Sequence, residues 1–475
     1  MSRILFHTIL LLTFVAQVEG QNTTMFRKQA YKHASVGICV FDKLSSKMLC
    51  ASNADQSLEP ASVAKLVTTA AALEILGPNH RFETKLEYSG QIENGVLTGD
   101  IRIRGGGDPS LGSHYVNKKQ DSFLDEWVEA VRKAGIQEIK GRILADAGIF
   151  NDEPVSPYWL WEDMGNYYAA GIYGLAVFDN SFELGLRSGR AGTRPEIVSV
   201  QPPLRKLTID NHLIAANNDL DSAYLYGAPY QWDRRLFGTM PEGRSCFIIK
   251  GDIPDPPGYL AERFKEELVR HGIPVSGEAL STRQLPVAAQ DSSLQTKVFH
   301  TTCSIPLSQM IRIIHEHSDN LYTEYLLRHL ALTVSNKPAS ARDGLQVVRD
   351  YWKNKGLDVS ALYLSDACGL SPNDRISARF LTQLLLYMST KSKYQSIFEA
   401  SLPLAGEEGS VSGFLKGTAL EGKLRLKSGS LQTVTSYAGY YKQNGKSYVI
   451  VMMVNYADAS RSRVRKDMEE FLLML

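Results

Sequence analysis

Cysteine is scarce in this sequence, net charge is almost absent, and long hydrophobic runs are missing beyond the first twenty residues. Five cysteines in 475 residues are too few for a disulfide scaffold, and none shows the paired spacing of a zinc site. The 52 Lys and Arg residues nearly balance the 51 Asp and Glu residues, so no global field favours nucleic acid or an acidic membrane surface. With 44% hydrophobic and 22% charged residues, the composition is that of a soluble globular protein and excludes disordered, collagenous and polytopic membrane chains.

The N-terminus is typical of a secretory signal peptide over residues 1–20. Arg3 supplies the positive charge, and residues 4–16 form a mostly apolar run that is too short to span a bilayer. We expect cleavage after Val18 or Gly20 and an exported chain, periplasmic or secreted, with at most peripheral membrane contact. A buried N-terminal helix is the alternative interpretation.

Export would place the cysteines in an oxidising compartment. Cys39 and Cys50 lie on two predicted strands, 35–41 and 47–51, and could form a disulfide across a hairpin. Two packed free thiols are the favoured interpretation. The other three cysteines are expected in the core: Cys246, Cys303 and Cys368.

The two ends of the mature chain are predicted to form one α/β domain, composed of residues 21–85 and 290–475. The front supplies the strand pair and a helix over 61–76, which Gly77-Pro78 ends. The back supplies three more strands, the last two joined through Asn444-Gly445, a strong hairpin signal. These strands are predicted over 424–427, 434–442 and 447–455, and further helices over 306–317, 321–332, 341–355 and 460–475. We expect one five-stranded antiparallel sheet with helices on its faces.

Residues 86–289 differ from the two ends. They are rich in short β-like runs and turn residues, and they contain only two clear amphipathic helices, 122–134 and 259–271. This pattern predicts a β-rich insertion, composed of two subdomains, into the first domain.

The first of three short motifs is Ser62-Val63-Ala64-Lys65, at the start of the predicted helix 61–76. Its spacing places Ser62 and Lys65 on one helical face. A desolvated lysine can remove the proton of a serine hydroxyl and make it nucleophilic, and a helix N-terminus favours a developing oxyanion. Because Ser-x-x-Lys is common by chance, a helix-start serine beside a solvated lysine is the alternative.

The second motif, Ser318-Asp319-Asn320, interrupts two predicted helices. Such residues are sensible as a cap and a turn, which is the structural interpretation. In an active site, Ser318 could relay a proton between Lys65 and a leaving group, and Asn320 could bind a substrate amide.

The third motif, Lys427-Ser428-Gly429-Ser430, follows a predicted strand that opens a hairpin. A lysine at a strand edge is often merely solvated. In an active site, Lys427 would bind a carboxylate and Gly429 would let a substrate backbone approach closely. The free N–H groups of the strand could pair with an extended peptide.

Together and in this order, the three motifs match the Ser-x-x-Lys, Ser-Asp-Asn and Lys-Thr-Gly set of penicillin-binding proteins and class A β-lactamases. Ser62 and Ser318 are 256 residues apart, whereas Ser318 and Lys427 are 109 apart. The long first interval resembles the class C penicillin-binding proteins, the D-alanyl-D-alanine carboxypeptidases/endopeptidases of peptidase family S13. Residues 99–111 resemble that family's inserted-domain signature, and residues 366–371 resemble its Asp-Gly-Ser-Gly-Leu-Ser stretch. Ser428 stands where the family usually has Thr, which preserves the hydroxyl.

The resemblance implies a transpeptidase-like α/β fold and a serine-type peptidase that acts on peptidoglycan stem peptides and binds β-lactam antibiotics as inhibitors. It implies catalytic roles for three residues: Ser62, Lys65 and Ser318. It implies substrate binding by five others: Asn320, Lys427, Ser428, Gly429 and Ser430. No cofactor is expected, and the net charge gives no reason to expect nucleic acid. No metal is expected either, because the side chains of His315 and His317, two residues apart on a helix, diverge and no third ligand is evident.

Two other functions stay open from the sequence. One is a β-lactamase or esterase of the same fold, which would release its acyl group quickly. The other is a non-catalytic cell-wall binding protein, which would use the insertion to bind glycan or a partner. The sequence does not separate carboxypeptidase from endopeptidase action, because both cut a D-Ala bond beside a D-configured centre.

Overall fold

A computed structural model describes residue 26 and residues 28–286, 295–335, 337–443 and 445–475. The predicted signal peptide lies outside the described residues. The chain divides into two compact units. The first comprises the described residues up to His80 together with Pro306–Leu330 and Ala341–Leu475, and the second comprises Arg81–Ile305 and Ala331–Ser340. The prediction that residues 86–289 form an insertion of two subdomains stays a prediction.

The first unit is built on a five-stranded antiparallel sheet, as the sequence predicts. In chain order the strands of this unit are β1 (Ser35–Asp42), β2 (Lys47–Ser52), β3 (Ser57–Leu58), β4 (Leu362–Tyr363), β5 (Arg375–Ser377), β6 (Leu424–Leu431), β7 (Val434–Gln443) and β8 (Lys446–Asn455). The large sheet has the order β2-β1-β8-β7-β6, so the two ends of the chain pair at its centre and β6 is an edge strand. The short strands β3, β4 and β5 form a separate small sheet.

The helices of the first unit include those that adjoin the first and second motifs. They are α1 (Lys65–Leu76), α2 (Leu307–His317), α3 (Asn320–Leu332), α4 (Ala341–Asn354), α5 (Ala378–Thr390), α6 (Gln395–Ser401) and α7 (Arg461–Leu473). Short 3₁₀ turns occur at Gln29–Tyr31, Ala61–Ala64, Val359–Ala361 and Gly409–Val411. Helix α7 packs Val464, Met468 and Phe471 into a core with β1 and β8, as its apolar spacing predicts.

The hairpin between β7 and β8 also follows the sequence. Gln443 pairs with Lys446, and Gly445 has a φ of +73°, the left-handed conformation that this kind of turn requires. Asn444 lies outside the described residues.

The second unit consists mainly of short strands. A five-stranded mixed sheet contains Ala279–Ser281, Ile143–Asp146, Ile101–Arg104, Glu83–Tyr88 and Lys297–Cys303. Smaller sheets contain Glu196–Gln201, Ser181–Arg187 and Phe247–Asp252; Thr208–Asn211, Asp233–Pro241, Ile214–Ala216 and Ser222–Tyr226; and Gln91–Glu93, Val96–Thr98 and Glu138–Ile139. Its helices are Ser122–Lys133 and Pro256–Arg270, with 3₁₀ turns at Tyr167–Ala169, Phe178–Asn180 and Thr282–Gln284. Apolar residues of both helices fill its core.

The cysteines are all free thiols. Cys39 lies opposite Ala51, and Cys50 lies opposite Val40. Because neighbouring residues of a strand point to opposite faces, Cys39 and Cys50 lie on different faces of the sheet and cannot form a disulfide.

The expectation that the other cysteines are core residues holds only in part. Cys368 is buried, but Cys246 and Cys303 are exposed, and for these two the prediction was wrong. Cys303 ends the edge strand Lys297–Cys303, and Cys246 directly precedes the strand Phe247–Asp252. A residue at a strand end can be open to solvent, and the presence of cysteine in the sequence does not show this.

No helix among the described residues combines the length and the hydrophobicity that a membrane crossing needs.

Candidate active site

Ser62 lies on a tight turn that precedes a helix. The sequence predicts one continuous helix over 61–76, but the structure has a 3₁₀ turn over Ala61–Ala64, and the α-helix α1 begins only at Lys65. Ala61 has a φ of +49°, which is uncommon for a residue with a Cβ and incompatible with a right-handed helix. Such strain is often found at functional sites, and here it sets the direction of the partly exposed Ser62 side chain.

Lys65 is fully buried, and its amine is held by three oxygen atoms. Nζ lies 2.8 Å from Ser62 Oγ, 2.6 Å from Asn320 Oδ1 and 2.7 Å from the carbonyl oxygen of Cys368. Of these oxygens, the amide and carbonyl oxygens are acceptors only, whereas a hydroxyl can also donate. A neutral amine has two N–H groups for the two obligate acceptors and one lone pair for the Ser62 hydroxyl. The arrangement therefore suits a general base.

Burial lowers the pKa of Lys65 below its ordinary value of 10.5. The carboxyl groups of Asp366, Asp319 and Glu324 act in the opposite direction, because nearby anions favour the ammonium form. The pKa of the Lys65 amine therefore depends on two opposing effects, burial and the nearby carboxyl groups.

Ser318 occupies the turn between α2 and α3 and has a left-handed backbone, with φ 59° and ψ 36°. Its hydroxyl accepts a hydrogen bond from Nζ of Lys427 at 2.9 Å, and the same Nζ donates to the carbonyl oxygen of Ser428 at 2.7 Å. Lys427 is fully buried, and burial together with the nearby Lys65 holds its pKa well below 10.5. The second and third motifs are therefore joined directly.

The third motif lies on the edge strand β6, which continues past the predicted strand end to Leu431. A Cβ on Gly429 would lie 2.7 Å from the carbonyl oxygen of Pro60 and 3.0 Å from the backbone nitrogen of Ser62. Glycine is thus required for β6 to approach the turn that carries Ser62. Ser428 Oγ lies 2.8 Å from Ser410 Oγ, and Ser430 is exposed.

The structure thus brings the predicted site residues into two groups. One contains Ser62, Lys65 and Asn320, and the other contains Ser318, Lys427 and Ser428. Gly429 links them, since its backbone packs against the nucleophile turn. Ser430 is the next residue along the same edge.

Sequence reasoning missed the buried acidic groups behind Lys65. Glu324 Oε1 accepts hydrogen bonds from the backbone N–H groups of Ala367 at 2.7 Å and Cys368 at 2.9 Å. Asp366 accepts from the N–H groups of Gly369 at 2.6 Å and Ser371 at 2.7 Å. The signal for Glu324 was its position four residues after Asn320, on the same helix face and among apolar residues.

His315 is the second missed residue. Its buried ring lies between two hydroxyls, with Nε2 2.9 Å from Thr69 Oγ1 and Nδ1 2.8 Å from Ser401 Oγ. Burial, reinforced by Lys427 and Lys65, holds the pKa of His315 well below 6.5. Both ring nitrogens are engaged, so the ring has no nitrogen left for a metal ion.

The chain that carries these motifs matches a known protein family. The model of the D-Ala-D-Ala carboxypeptidase 3 (S13) family matches residues 22–474. The chain belongs to this family. It is a hydrolase of the D-Ala-D-Ala peptidase class, as the resemblance of its motifs implies.

Relatives and solved structures of the S13 family agree over most of the chain. A D-alanyl-D-alanine carboxypeptidase of Actinomadura sp. strain R39 is 28% identical over 433 residues, which are 86% of this chain and 76% of that protein. D-alanyl-D-alanine carboxypeptidase DacB of Haemophilus influenzae is 25% identical over 430 residues, 89% and 85% of the two chains. The crystal structure of H. influenzae penicillin binding protein 4 superposes with a TM-score of 0.81 at 21% identity and covers 96% of this chain and 98% of that one, which confirms the predicted fold.

Proposed function

We propose that this S13 peptidase removes the terminal D-Ala from peptidoglycan stem peptides through an acyl ester on Ser62. The observation that carries the proposal is the contact between the buried Lys65 amine and the Ser62 hydroxyl, 2.8 Å apart, with two further acceptors for the amine's N–H groups. A nucleophile and a base within hydrogen-bond distance, with the base oriented by other groups, are what covalent serine catalysis requires.

In the acylation step, Lys65 takes the proton of Ser62 while Oγ bonds to the carbonyl carbon of the penultimate D-Ala. The backbone N–H groups of Ser62 and Ser430 stabilise the oxyanion, and one such donor typically contributes about 10²–10³ in rate. The C–N bond then breaks, and the proton passes from Lys65 by way of Ser318 to the leaving D-Ala amine. The contact of Ser318 with Lys427 keeps its hydroxyl oriented for this transfer.

Substrate binding uses the second group. Lys427 and the Ser428 hydroxyl bind the terminal carboxylate, since charge-assisted hydrogen bonds are the strong ones. The stem peptide pairs with the outer side of edge strand β6 beyond Leu426, since Pro403 and Ala405 already bond that side at Leu426 and Leu424. The side-chain amide of Asn320 then forms a hydrogen bond with the substrate backbone.

Water completes the cycle by hydrolysing the ester. A β-lactam carries the same carboxylate and a strained amide, so it acylates Ser62 and leaves slowly. The H. influenzae protein of the same fold is known in complex with a β-lactam.

Endopeptidase action fits the same residues, because a cross-link also contains a D-Ala bond beside a D-configured centre. We propose that the enzyme is exported, with a signal peptide cleaved near residue 20, since its polymeric substrate lies outside the cytoplasm.

Labelling with a fluorescent penicillin tests the acyl-enzyme. Wild-type protein is expected to retain the label through denaturing electrophoresis, and Ser62→Ala is expected to remain unlabelled. Ser412→Ala, which alters an exposed serine of the same unit, is the matched control and should label fully. Labelling of Ser62→Ala would show that another residue is the nucleophile.

Mass spectrometry of purified muropeptides separates the remaining activities. Loss of a terminal D-Ala marks carboxypeptidase action, and cleavage of cross-linked dimers marks endopeptidase action. Rapid turnover of penicillin without D-Ala release would instead identify a β-lactamase, and binding of peptidoglycan without any product would identify a non-catalytic protein.

A further inference from the structure

A carboxylate lies directly behind the backbone carbonyl that binds the Lys65 amine. Glu324, on α3 one turn after Asn320, is 3% exposed. Its Oε1 accepts the N–H groups of Ala367 at 2.7 Å and Cys368 at 2.9 Å, and the carbonyl oxygen of Cys368 accepts Nζ of Lys65 at 2.7 Å. Helix α3 therefore contacts the amine twice, directly through Asn320 and indirectly through Glu324.

The turn held by Glu324 is also fixed against the nucleophile. A Cβ on Gly369 would lie 2.0 Å from the carbonyl oxygen of Ala61, so the turn packs against the strained residue before Ser62. Gly369 has a φ of +76°, and its N–H is held by Asp366. A shift of this turn would displace both the Cys368 carbonyl and the residue that precedes the nucleophile.

Several titratable and charged groups surround Glu324 and Lys65. The titratable and charged neighbours are Asp319, Arg328, Asp366, Cys368, Asp374, His315 and Lys427. Burial, with Asp366 adding to it, raises the pKa of Glu324 to about 7, and Arg328 opposes this. An ionised Glu324 in turn favours the ammonium form of Lys65.

We infer that Glu324 is a positioning residue for the general base: its carboxylate holds the Cys368 carbonyl against the Lys65 amine, and its negative charge acts on that amine. The inference rests on the proposed general-base role of Lys65. Glu324 does not touch substrate in this role, and it acts through Lys65 alone.

Glu324→Gln separates the two parts of this role. The amide oxygen of glutamine can still accept the two N–H groups, so the turn keeps its position, but the negative charge is lost. Glu324 is ionised above its pKa of about 7. In that range the ammonium form of Lys65 is less favoured once the anion is lost, so the amine is neutral at a lower pH. The part of the acidic limb of penicillin acylation that lies above about pH 7, in a profile measured from about pH 5 to about pH 9, is expected to move down by about one pH unit. The rate at the plateau should stay within about tenfold of the wild type.

Asp374→Asn is the matched control. Asp374 is a buried carboxyl of the same cluster and accepts the N–H of Ser365 at 2.6 Å. Burial and the nearby Asp366 hold the pKa of Asp374 well above 3.8 and favour its neutral form. The carboxyl groups that favour the Lys65 ammonium are Asp366, Asp319 and Glu324, so Asp374→Asn is expected to change the charge near Lys65 less than Glu324→Gln does. An acidic limb that coincides with the wild type in Glu324→Gln, or that moves equally in Asp374→Asn, would overturn the inference.

A melting curve establishes that each variant is folded. Should Glu324→Gln fail to fold, Asp366→Asn removes the other buried anion that favours the Lys65 ammonium, and its acidic limb is expected to move in the same direction. An unshifted limb in that variant contradicts the inference equally. Failure of the proposed function has a different signature, because Ser62→Ala would then still take up the penicillin label, whatever the pH profile of the Glu324 variant.

Discussion

Lys427 donates a hydrogen bond from Nζ to Ser318 Oγ at 2.9 Å and so joins edge strand β6 to the turn between α2 and α3. Lys65 has the corresponding contact with Ser62, 2.8 Å long. Two fully buried lysines thus each contact one serine hydroxyl, and the nearby Lys65 adds to burial in lowering the pKa of Lys427. In the proposed function, an incoming carboxylate would favour the charged form of Lys427, because an opposite charge nearby stabilises an ammonium group.

Lys427→Gln is expected to lower kcat/KM for a D-Ala-D-Ala substrate by about 100-fold. The glutamine amide can still approach Ser318, but it cannot form a charge-assisted hydrogen bond, which contributes about 1.5–3 kcal/mol. Steady-state release of D-Ala measures the effect. A substrate whose terminal carboxylate is converted to an amide should lose much less from the same substitution.

The matched control for this prediction is Lys416→Gln, which alters an exposed lysine of the same unit. It should leave kcat/KM unchanged. Equal losses for the acid and the amide substrates in Lys427→Gln would contradict a carboxylate-binding role and would point instead to a general disturbance of the site.

Gly429→Ala is expected to slow acylation by a β-lactam by at least about tenfold. The new methyl group would meet the Pro60 carbonyl oxygen at 2.7 Å and the Ser62 nitrogen at 3.0 Å, so the strand must move away from the nucleophile, and oxyanion stabilisation depends on donor position. Stopped-flow acylation measures the rate. Gly189→Ala, whose nearest neighbour is the flexible Thr193 side chain, is the control, and equal rates in the wild type and Gly429→Ala would refute the argument.

Much of the catalytic unit could be predicted because it depends on local patterns. The Asn-Gly dipeptide is a local turn signal for the hairpin, and the apolar face of α7 reflects the helical period that burial imposes. The five-stranded sheet followed from pairing these segments, and the confirmed family membership followed from the order and spacing of three motifs.

The parts that could not be predicted depend on contacts between distant residues. Nothing local to Glu324 states that it binds the peptide units of residues 367 and 368, or that their carbonyl reaches Lys65. The positive φ of Ala61, which delays the start of the expected helix to Lys65, is imposed by packing rather than by alanine's own preference. The exposure of Cys246 and Cys303 likewise depends on where strands end in the second unit.

His315→Gln is expected to make the protein less sensitive to acid. In the unfolded chain the imidazole has its ordinary pKa near 6.5, whereas burial and the lysines hold the pKa well below that value in the folded protein. Below about pH 6.5 the unfolded state therefore binds one more proton than the folded state, and stability falls with pH by up to about 1.4 kcal/mol per unit. This contribution to stability is fully present above the unfolded pKa and is lost as the pH falls toward the folded pKa. Glutamine can still bond Thr69 and Ser401 but has no such proton to take up. Between about pH 6.5 and about pH 5, the free energy of unfolding measured with urea should thus fall by about 2 kcal/mol more in the wild type than in His315→Gln.

The control for this prediction is His33→Gln, at an exposed position, which should behave as the wild type. An equal loss of stability in acid in all three proteins would show that His315 is not the group responsible.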